Sequence, residues 1–540
     1  FIIRSVGYII QKEFGRSLSD ENVHILDPFT GTGTFITRLL QSGLISRDAL
    51  ERKYLKEIHA NEIVLMAYYI ASINIENVYH SLMPDKEYKS FDGICLTDTF
   101  QLGEKGTDDN LFSEQFPTNS KRVIAQKECP ITVIIGNPPY SIGQKSANDN
   151  AQNQSYPRLE KHIETTYVAQ SEANLNKSAY DSYVKAFRWA SDRLNEKGGG
   201  VIGFVTNGAW LDANGLDGMR KCFEQEFSSI YVFNLRGNQR TSGELSRKEG
   251  GKIFGSGSRT PIAITILVKK HKANNLEKAQ IFYHDIGDYL SREDKLKIIR
   301  QMGDISNPAM MWESVEPNEH GDWINHRNEM FKQFIPIEPE RKFAKGQKSF
   351  FVGYSLGLGS NRDVWVYNSS LHRLKININL TIDFYNEQVR KYFCERNNGT
   401  TVDSFLNDKR DSSKIVWTDT LVRDLEKCIS YNVDESRYTT SLYRPFFKQC
   451  LYQDKILNHR VYQQSKLFPT TNHKNLVICV SGIGASKDFS AIITNCIPCL
   501  DLVEKSQCFP LYWYDSSDAD IADLFNQGAE KPMDRYVRKD

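Results

Sequence analysis

The sequence predicts an α/β protein in which a doubly wound, seven-stranded domain over residues 1–275 is followed by a mixed α/β domain over 276–540. Three observations predict it. Short apolar, β-rich runs alternate with helix-period segments through the first half of the chain. That rhythm is lost further on, where Tyr, Asn and Arg recur among irregular strand-like runs. A chain of 540 residues also exceeds what one hydrophobic core usually serves.

The expected strands are VHIL (23–26), EIHA (57–60), GICL (93–96), TVII (132–135), GVIGFV (200–205), IYVFNL (230–235) and IAITILV (262–268). They read as a parallel sheet with helices on both faces. Between them, TFITRLLQSGL, IVLMAYYIASIN, DSYVKAFRWASDRLN and GMRKCFEQEF space apolar residues three and four apart, as amphipathic helices do. A polar insertion from Ser141 to Ala179 interrupts the alternation. The opening FIIRSVGYII reads as a helix face, and with Phe1 in place of Met the chain is expected to begin inside a larger polypeptide.

With 40% hydrophobic and 25% charged residues the composition excludes a disordered or fibrous class. Lys and Arg number 68 against 67 Asp and Glu, so attraction for a polyanion has to come from local patches. No run approaches the ~20 apolar residues of a membrane span, and no signal pattern opens the chain, so a cytoplasmic protein without membrane contact is expected. Ten scattered cysteines predict reduced thiols. Cys496, Cys499 and Cys508 begin as CxxC but lack a fourth ligand at a familiar spacing, so buried thiols and no metal are expected. There is no repeat, and GSGSRT at 255–260 lacks the Lys of a Walker A loop, which places any ATP-driven motor outside this segment.

Chemistry gathers at the carboxyl ends of the strands. ILDPFTGTGTF puts Asp27 at the end of the first strand and Phe29, Thr30, Gly31 and Gly33 in the turn that follows. Such a turn lets backbone approach a ligand, although it is also an ordinary tight connection. A dinucleotide fingerprint needs a third Gly where this chain has Ile36. HANE leaves Glu62 at the end of the second strand, placed to accept from both hydroxyls of a ribose or to cap the next helix. LTDTF leaves Asp98 at the end of the third, placed to accept from an adenine amine. Together the three carboxylates match the ammonium, ribose and base of one nucleoside-like cofactor.

The fourth strand runs into Asn137-Pro138-Pro139-Tyr140, the most specific motif in the chain. Two prolines fix the backbone and remove two donors, leaving carbonyls as acceptors. An aromatic amine is a poor nucleophile because its lone pair is delocalised, and acceptors on both its hydrogens localise that pair. Here the sequence resembles the amino-group DNA methyltransferases. The likeness extends through FIIRSV, DPFTGTGTFI, HANEI, GNPPYS, YDSYVKAFRWA, GVIGFVTNGAW, FNLRGNQRTSGE, KIFGSGSRTPIAI, SLYRPFF and CFPLYWY to the single-polypeptide Type I (Type ISP) restriction-modification enzymes and, more loosely, Type IIG enzymes.

The resemblance implies a Rossmann-like methyltransferase domain using S-adenosyl-L-methionine, followed by a target recognition domain, with nuclease and translocase domains upstream. It implies that the Asn137 side-chain oxygen and the Pro138 carbonyl accept from an adenine amine, that Tyr140 stacks on the base, and that FIIRSV ends a cofactor-contacting helix. The adenine has to leave the duplex first, at a cost of a few kcal/mol, and stacking returns about 1–3 kcal/mol.

Double-stranded DNA is the expected partner. Arg236, Arg240, Arg247, Lys248, Lys252 and Arg259, interleaved with glycines against Glu244 and Glu249, read as an extended basic loop for phosphates or as an ordinary solvated hairpin. In the second domain YSLGLGSNRDVW and SLYRPFFKQCLYQDKILNHR offer side chains suited to base edges, while Tyr443 and Arg444 are equally suited to structural work. Two rivals remain: a protein-glutamine methyltransferase, which also needs paired acceptors, and a DNA-recognition module without catalysis. The second domain and the basic loop count against the first, and the intact carboxylates against the second.

Overall fold

The computed structural model describes the chain apart from residues 105–116, 140–154, 174–176, 196–197, 242, 255–258, 271–277, 329, 331–332, 339–348, 352, 397–399, 407–413, 471–472, 483–484, 486–487 and 515–540. It divides into two units, Phe1–Asn328 and Glu329–Asp540.

Apolar spacing builds the first unit. Ile2, Val6, Ile9 and Ile10 line the buried side of α1 (Ile2–Phe14), which stops at Gly15, left-handed at φ 63°. In chain order follow β1 (His24–Asp27), α2 (Thr34–Gln41), α3 (Arg47–Arg52), β2 (Ile58–Glu62), α4 (Leu65–Leu82), β3 (Ile94–Leu96), α5 (Pro117–Glu128), β4 (Ile131–Gly136), α6 (Pro157–Ile163), α7 (Ser182–Arg193), β5 (Gly200–Asn207), α8 (Asp217–Glu226), β6 (Ser229–Arg236), α9 (Gly243–Glu249), β7 (Ile262–Lys269), β8 (Gln280–Asp285), α10 (Arg292–Met302) and β9 (Glu313–Val315). All seven expected strands form.

Among the described residues the sheet has nine strands in the order β3-β2-β1-β4-β5-β7-β6-β8-β9. Alternation along β1 and β4 feeds two cores: Ile25, Val133 and Ile135 pack with α1 to α4, whereas Leu26, Ile134, Phe187 and Phe223 pack with α6 to α8 on the other face. Helices on both faces make the unit doubly wound. Two details differ from the expectation. The sheet is not wholly parallel, because β7 lies antiparallel between β5 and β6. It also continues into β8, parallel to β6, and β9, so the first unit runs past the boundary expected at 275.

The second unit carries β10 (Ser355–Leu356), α11 (Asp363–Val366), β11 (Tyr367–Asn368), α12 (Leu371–Arg396), α13 (Val402–Leu406), α14 (Asp419–Glu426), β12 (Tyr438–Arg444), β13 (Phe447–Tyr452), α15 (Gln464–Leu467), β14 (Val477–Val480), β15 (Ala491–Thr494), β16 (Ile497–Pro498) and β17 (Gln507–Pro510). Among the described residues two four-stranded sheets result, β10-β17-β14-β15 and β11-β13-β12-β16. Leu374 and Ile378 of α12 pack on Leu442 and Leu451, and further along the helix Tyr385 and Val389 pack on Leu421 and Leu425. Among the described residues no helix is long and apolar enough to cross a membrane.

Candidate functional site

Asp27 ends β1 and is wholly buried. Its Oδ1 accepts from the Phe29 N–H at 3.1 Å, while Oδ2 has no partner among the described residues. Burial raises its pKa to about 8, against the pull of the Phe29 N–H and with a further push from the Glu62 charge. A buried carboxyl with an unsatisfied oxygen is expensive and is a mark of a ligand site.

The turn after Asp27 is tied on every side. Thr30 Oγ1 donates to the Asp27 carbonyl at 2.9 Å, and the Thr30 N–H donates to the Asn61 carbonyl at 3.0 Å. Gly31 (φ 57°) and Gly33 (φ 86°) are both left-handed. A Cβ on Gly33 would also lie 3.3 Å from the Ala71 Cα of α4, so this glycine serves helix packing as well as the turn.

Glu62 Oε2 accepts from the Gly31 N–H at 2.7 Å and Oε1 from the Val64 N–H at 2.8 Å, just before α4. It therefore ties the glycine turn to the residue that precedes α4, whose N-cap, Val64, makes no side-chain cap bond. A carboxylate offers about four lone-pair sites, enough to accept further bonds.

Asp98, two residues past β3, accepts from the Phe100 N–H at 3.0 Å and the Tyr156 hydroxyl at 2.8 Å, and burial raises its pKa. The neighbouring Thr99 hydroxyl donates to the Pro28 carbonyl at 2.5 Å, stitching this loop to the first. Phe29 and Phe100 rings lie 5.5 Å apart, Phe29 and Phe204 6.4 Å, and Tyr156 meets Phe100 edge-on at 5.3 Å. An aromatic wall thus joins the carboxylates. Tyr156 and Phe204 were missed by sequence reasoning: Tyr156 sits in the polar insertion, where nothing local ties it to Asp98.

The NPPY motif leaves β4 at the same edge. A Cβ on Gly136 would lie 3.0 Å from Asp27 Oδ1 and 3.6 Å from Pro28 Cδ, so the residue before Asn137 touches the Asp27 turn. Asn137 and Pro139 are exposed and Pro138 is buried. Tyr140 lies outside the described residues. Asp181, before α7, was also missed: its Oδ1 is buried without a partner among the described residues, and burial lifts the carboxyl to about 6 against the Arg240 charge.

The reversed β7 brings a further element to this edge. Asn207, Arg236 and Ile262 are register partners at the carboxyl ends of β5 and β6, so the connection between Arg236 and Ile262 begins and ends there. It is not the extended loop expected. It contains α9, and it is tied to β6 by the buried Lys295, whose ammonium donates to the carbonyls of Leu235 in β6 and of Glu249 and Gly251 in the connection, at 2.9, 2.7 and 3.0 Å. Arg236 is drawn into ion pairs with Asp285 at 2.7 Å and with Asp288, which brace the carboxyl end of β6 against the turn after β8. Arg240, Arg247, Lys248 and Arg259 are exposed and Lys252 is half-buried.

In the second unit Arg362 is buried, donating to the Ile456 and Leu457 carbonyls at 3.2 and 2.8 Å. Arg444 lies 4.0 Å over the Tyr443 ring, and the Tyr443 hydroxyl donates to Asp363 at 2.6 Å, so that pair is braced structurally. Phe446, Arg460 and Asn361 are exposed. Cys508 lies opposite Cys479 across β17 and β14, Cys499 accepts from Arg444 at 3.2 Å, and Cys496 is paired with Thr494. These three thiols have separate partners.

Residues 56–239 match the Eco57I restriction-modification methylase family, and residues 349–535 match the Type ISP C-terminal specificity domain. The chain resembles the nuclease-deletion mutant of the Type ISP restriction-modification enzyme LlaGI, solved with a DNA substrate mimic, at 44% identity and a TM-score of 0.81 over 96% of this chain. The chain belongs to the Type ISP restriction-modification family. The ATP-dependent Type ISP enzyme LlaBIII bound to DNA is 37% identical with a TM-score of 0.82, and DrdV in its DNA complex is 34% identical with a TM-score of 0.81, each over 96% of this chain. This Type ISP chain spans 41% of the LlaGI chain, 33% of LlaBIII and 49% of DrdV. No curated protein matches.

Proposed function

We propose that the chain is the modification and target-recognition part of a restriction-modification enzyme, methylating adenine N6 in duplex DNA with S-adenosyl-L-methionine. One observation carries the reading: Gly136, which leads into Asn137-Pro138, lies against the carboxyl of Asp27, whose Oδ2 is buried and without a partner among the described residues.

The cofactor fits this rim on chemical grounds. An orphaned buried carboxylate oxygen at Asp27 matches a cationic amine, Glu62 retains acceptor capacity for ribose hydroxyls, and Asp98 beside Phe29 and Phe100 suits an adenine ring with its amine. Bound there, the cofactor supplies a methyl group on a sulfonium. The chain's residues do the rest. Asn137 Oδ1 and the Pro138 carbonyl accept the two amine hydrogens of an extruded adenine, which localises the lone pair on nitrogen, and Tyr140 stacks on the base. The phosphates meet Arg240, Arg247, Lys248 and Arg259, and the second unit, residues 329–540, reads the sequence. Nuclease and translocase domains upstream complete the enzyme.

The test is methyl transfer from radiolabelled cofactor to duplex DNA, with the modified base identified after hydrolysis to nucleosides. Asn137→Ala is expected to abolish transfer while cofactor affinity, by calorimetry, stays within about threefold. Full activity in that variant, or label on cytosine or on protein glutamine, would overturn the reading.

A further inference from the structure

The amino-terminal ends of the strands, opposite the carboxylate rim, hold a second group of side chains with which the proposed chemistry has nothing to do. His24 opens β1, His59 lies on β2, and Cys129 lies between α5 and β4. His24 Nδ1 and His59 Nε2 are 3.0 Å apart, their rings are nearly parallel at 14°, and the ligand atoms of these two histidines and of Cys129 all lie within 4.8 Å of one another.

The sheet face here is polar where its neighbours are apolar. Leu26 and Ile134 on the same side join the hydrophobic core. Asn61, one turn of the pleat beyond His59, is wholly buried, with neither side-chain polar atom partnered among the described residues, and Gln126 of α5 donates to Cys95 Sγ at 3.6 Å.

We propose that His24, His59 and Cys129 form a binding site for one borderline-soft divalent cation of the Zn²⁺ class, with solvent in the fourth position. Metal–nitrogen bonds of about 2.0–2.1 Å and a metal–sulfur bond of about 2.3 Å put the two imidazole nitrogens near their required spacing already. The thiol closes by roughly 1 Å. On binding, the Cys129 thiol releases its proton to solvent and no electron is exchanged. Arg193, which donates to the carbonyls of Gln126 and Cys129 at 2.7 and 3.0 Å, places a cation nearby, and the thiolate that forms only with the metal offsets it. The ion pins β1, β2 and the α5–β4 connection at the end of the sheet remote from Asp27 and Glu62.

The experiment is titration of the chelator-stripped chain with Co²⁺, a spectroscopic stand-in for Zn²⁺, followed by displacement with Zn²⁺. One equivalent per chain with tetrahedral d–d bands and a thiolate-to-cobalt band is expected. Cys129→Ser should lose the thiolate band while Cys95→Ser keeps it, and His24→Gln with His59→Gln should lose the tetrahedral bands. Absence of a tetrahedral spectrum in the parent chain overturns the site, as does a spectrum that survives Cys129→Ser. Circular dichroism of each variant shows that it is folded before its spectrum is read.

Discussion

Replacing Asp27 with Asn probes the rim without relying on turnover. The carboxyl, wholly buried, has its pKa raised from 3.8 to about 8, by burial first. A raised carboxyl holds its proton more tightly in the folded chain than in the unfolded one. Stability associated with it is therefore fully present below the unfolded value and is lost as pH rises towards about 8. Within that window the loss is about 1.4 kcal/mol per pH unit, on the order of 5 kcal/mol in all. Asn carries no such charge, so the difference in stability between Asp27→Asn and the parent should grow in favour of the variant from about pH 4 to about pH 8 and then level off. The slope is the informative quantity, since an amide brings buried donors of its own that shift the absolute value. Urea unfolding of both chains at a series of pH values measures it. Parallel stability curves would refute the buried, protonated Asp27. The same charge predicts that a cationic cofactor amine draws the proton off. Binding at about pH 7 should release close to one proton per chain, seen as a dependence of the binding enthalpy on the buffer, and Asp27→Asn should release none.

Other expectations follow from the same geometry. Tyr156→Phe removes the donor to Asp98 and should weaken cofactor binding by about 1 kcal/mol in calorimetry; unchanged affinity would detach Asp98 from the site. Arg240→Ala and Arg259→Ala should each lower the slope of log affinity against log salt for duplex DNA by about 1, whereas Arg236→Ala should act on stability instead. Lys295→Met leaves the Leu235, Glu249 and Gly251 carbonyls without their shared donor, so limited proteolysis should open residues 237–261 while cofactor affinity is kept; resistance equal to the parent would refute the tie.

Much of this was legible because strand ends are local. Hydrophobic alternation marked β1 to β7, and Asp27, Glu62, Asp98 and Asn137 follow directly where those runs stop. The direction of β7 was not legible, since IAITILV has the same pattern whichever way it runs and only its register with Asn207 and Arg236 fixes it. β8 was hidden because QIFYHD lies largely half-buried and follows a charged stretch, so it lacks a continuous apolar run. The Tyr156–Asp98 bond and the Lys295 tie join residues distant in sequence, and no periodicity encodes such partners. The ion pairs of Arg236 were hidden for the same reason: its carboxylates, Asp285 and Asp288, arrive with β8 and the turn after it, which were not foreseen.

The reversed β7 has an engineering corollary. A single excursion leaves β6 and re-enters the adjoining β7, so a replacement of that excursion in an engineered chain leaves the hydrogen-bonded ladder beneath it in place. A graft of that excursion between related enzymes has to carry α10 with it, however, for without the backbone carbonyls that accept from it the Lys295 ammonium would be stranded in the interior.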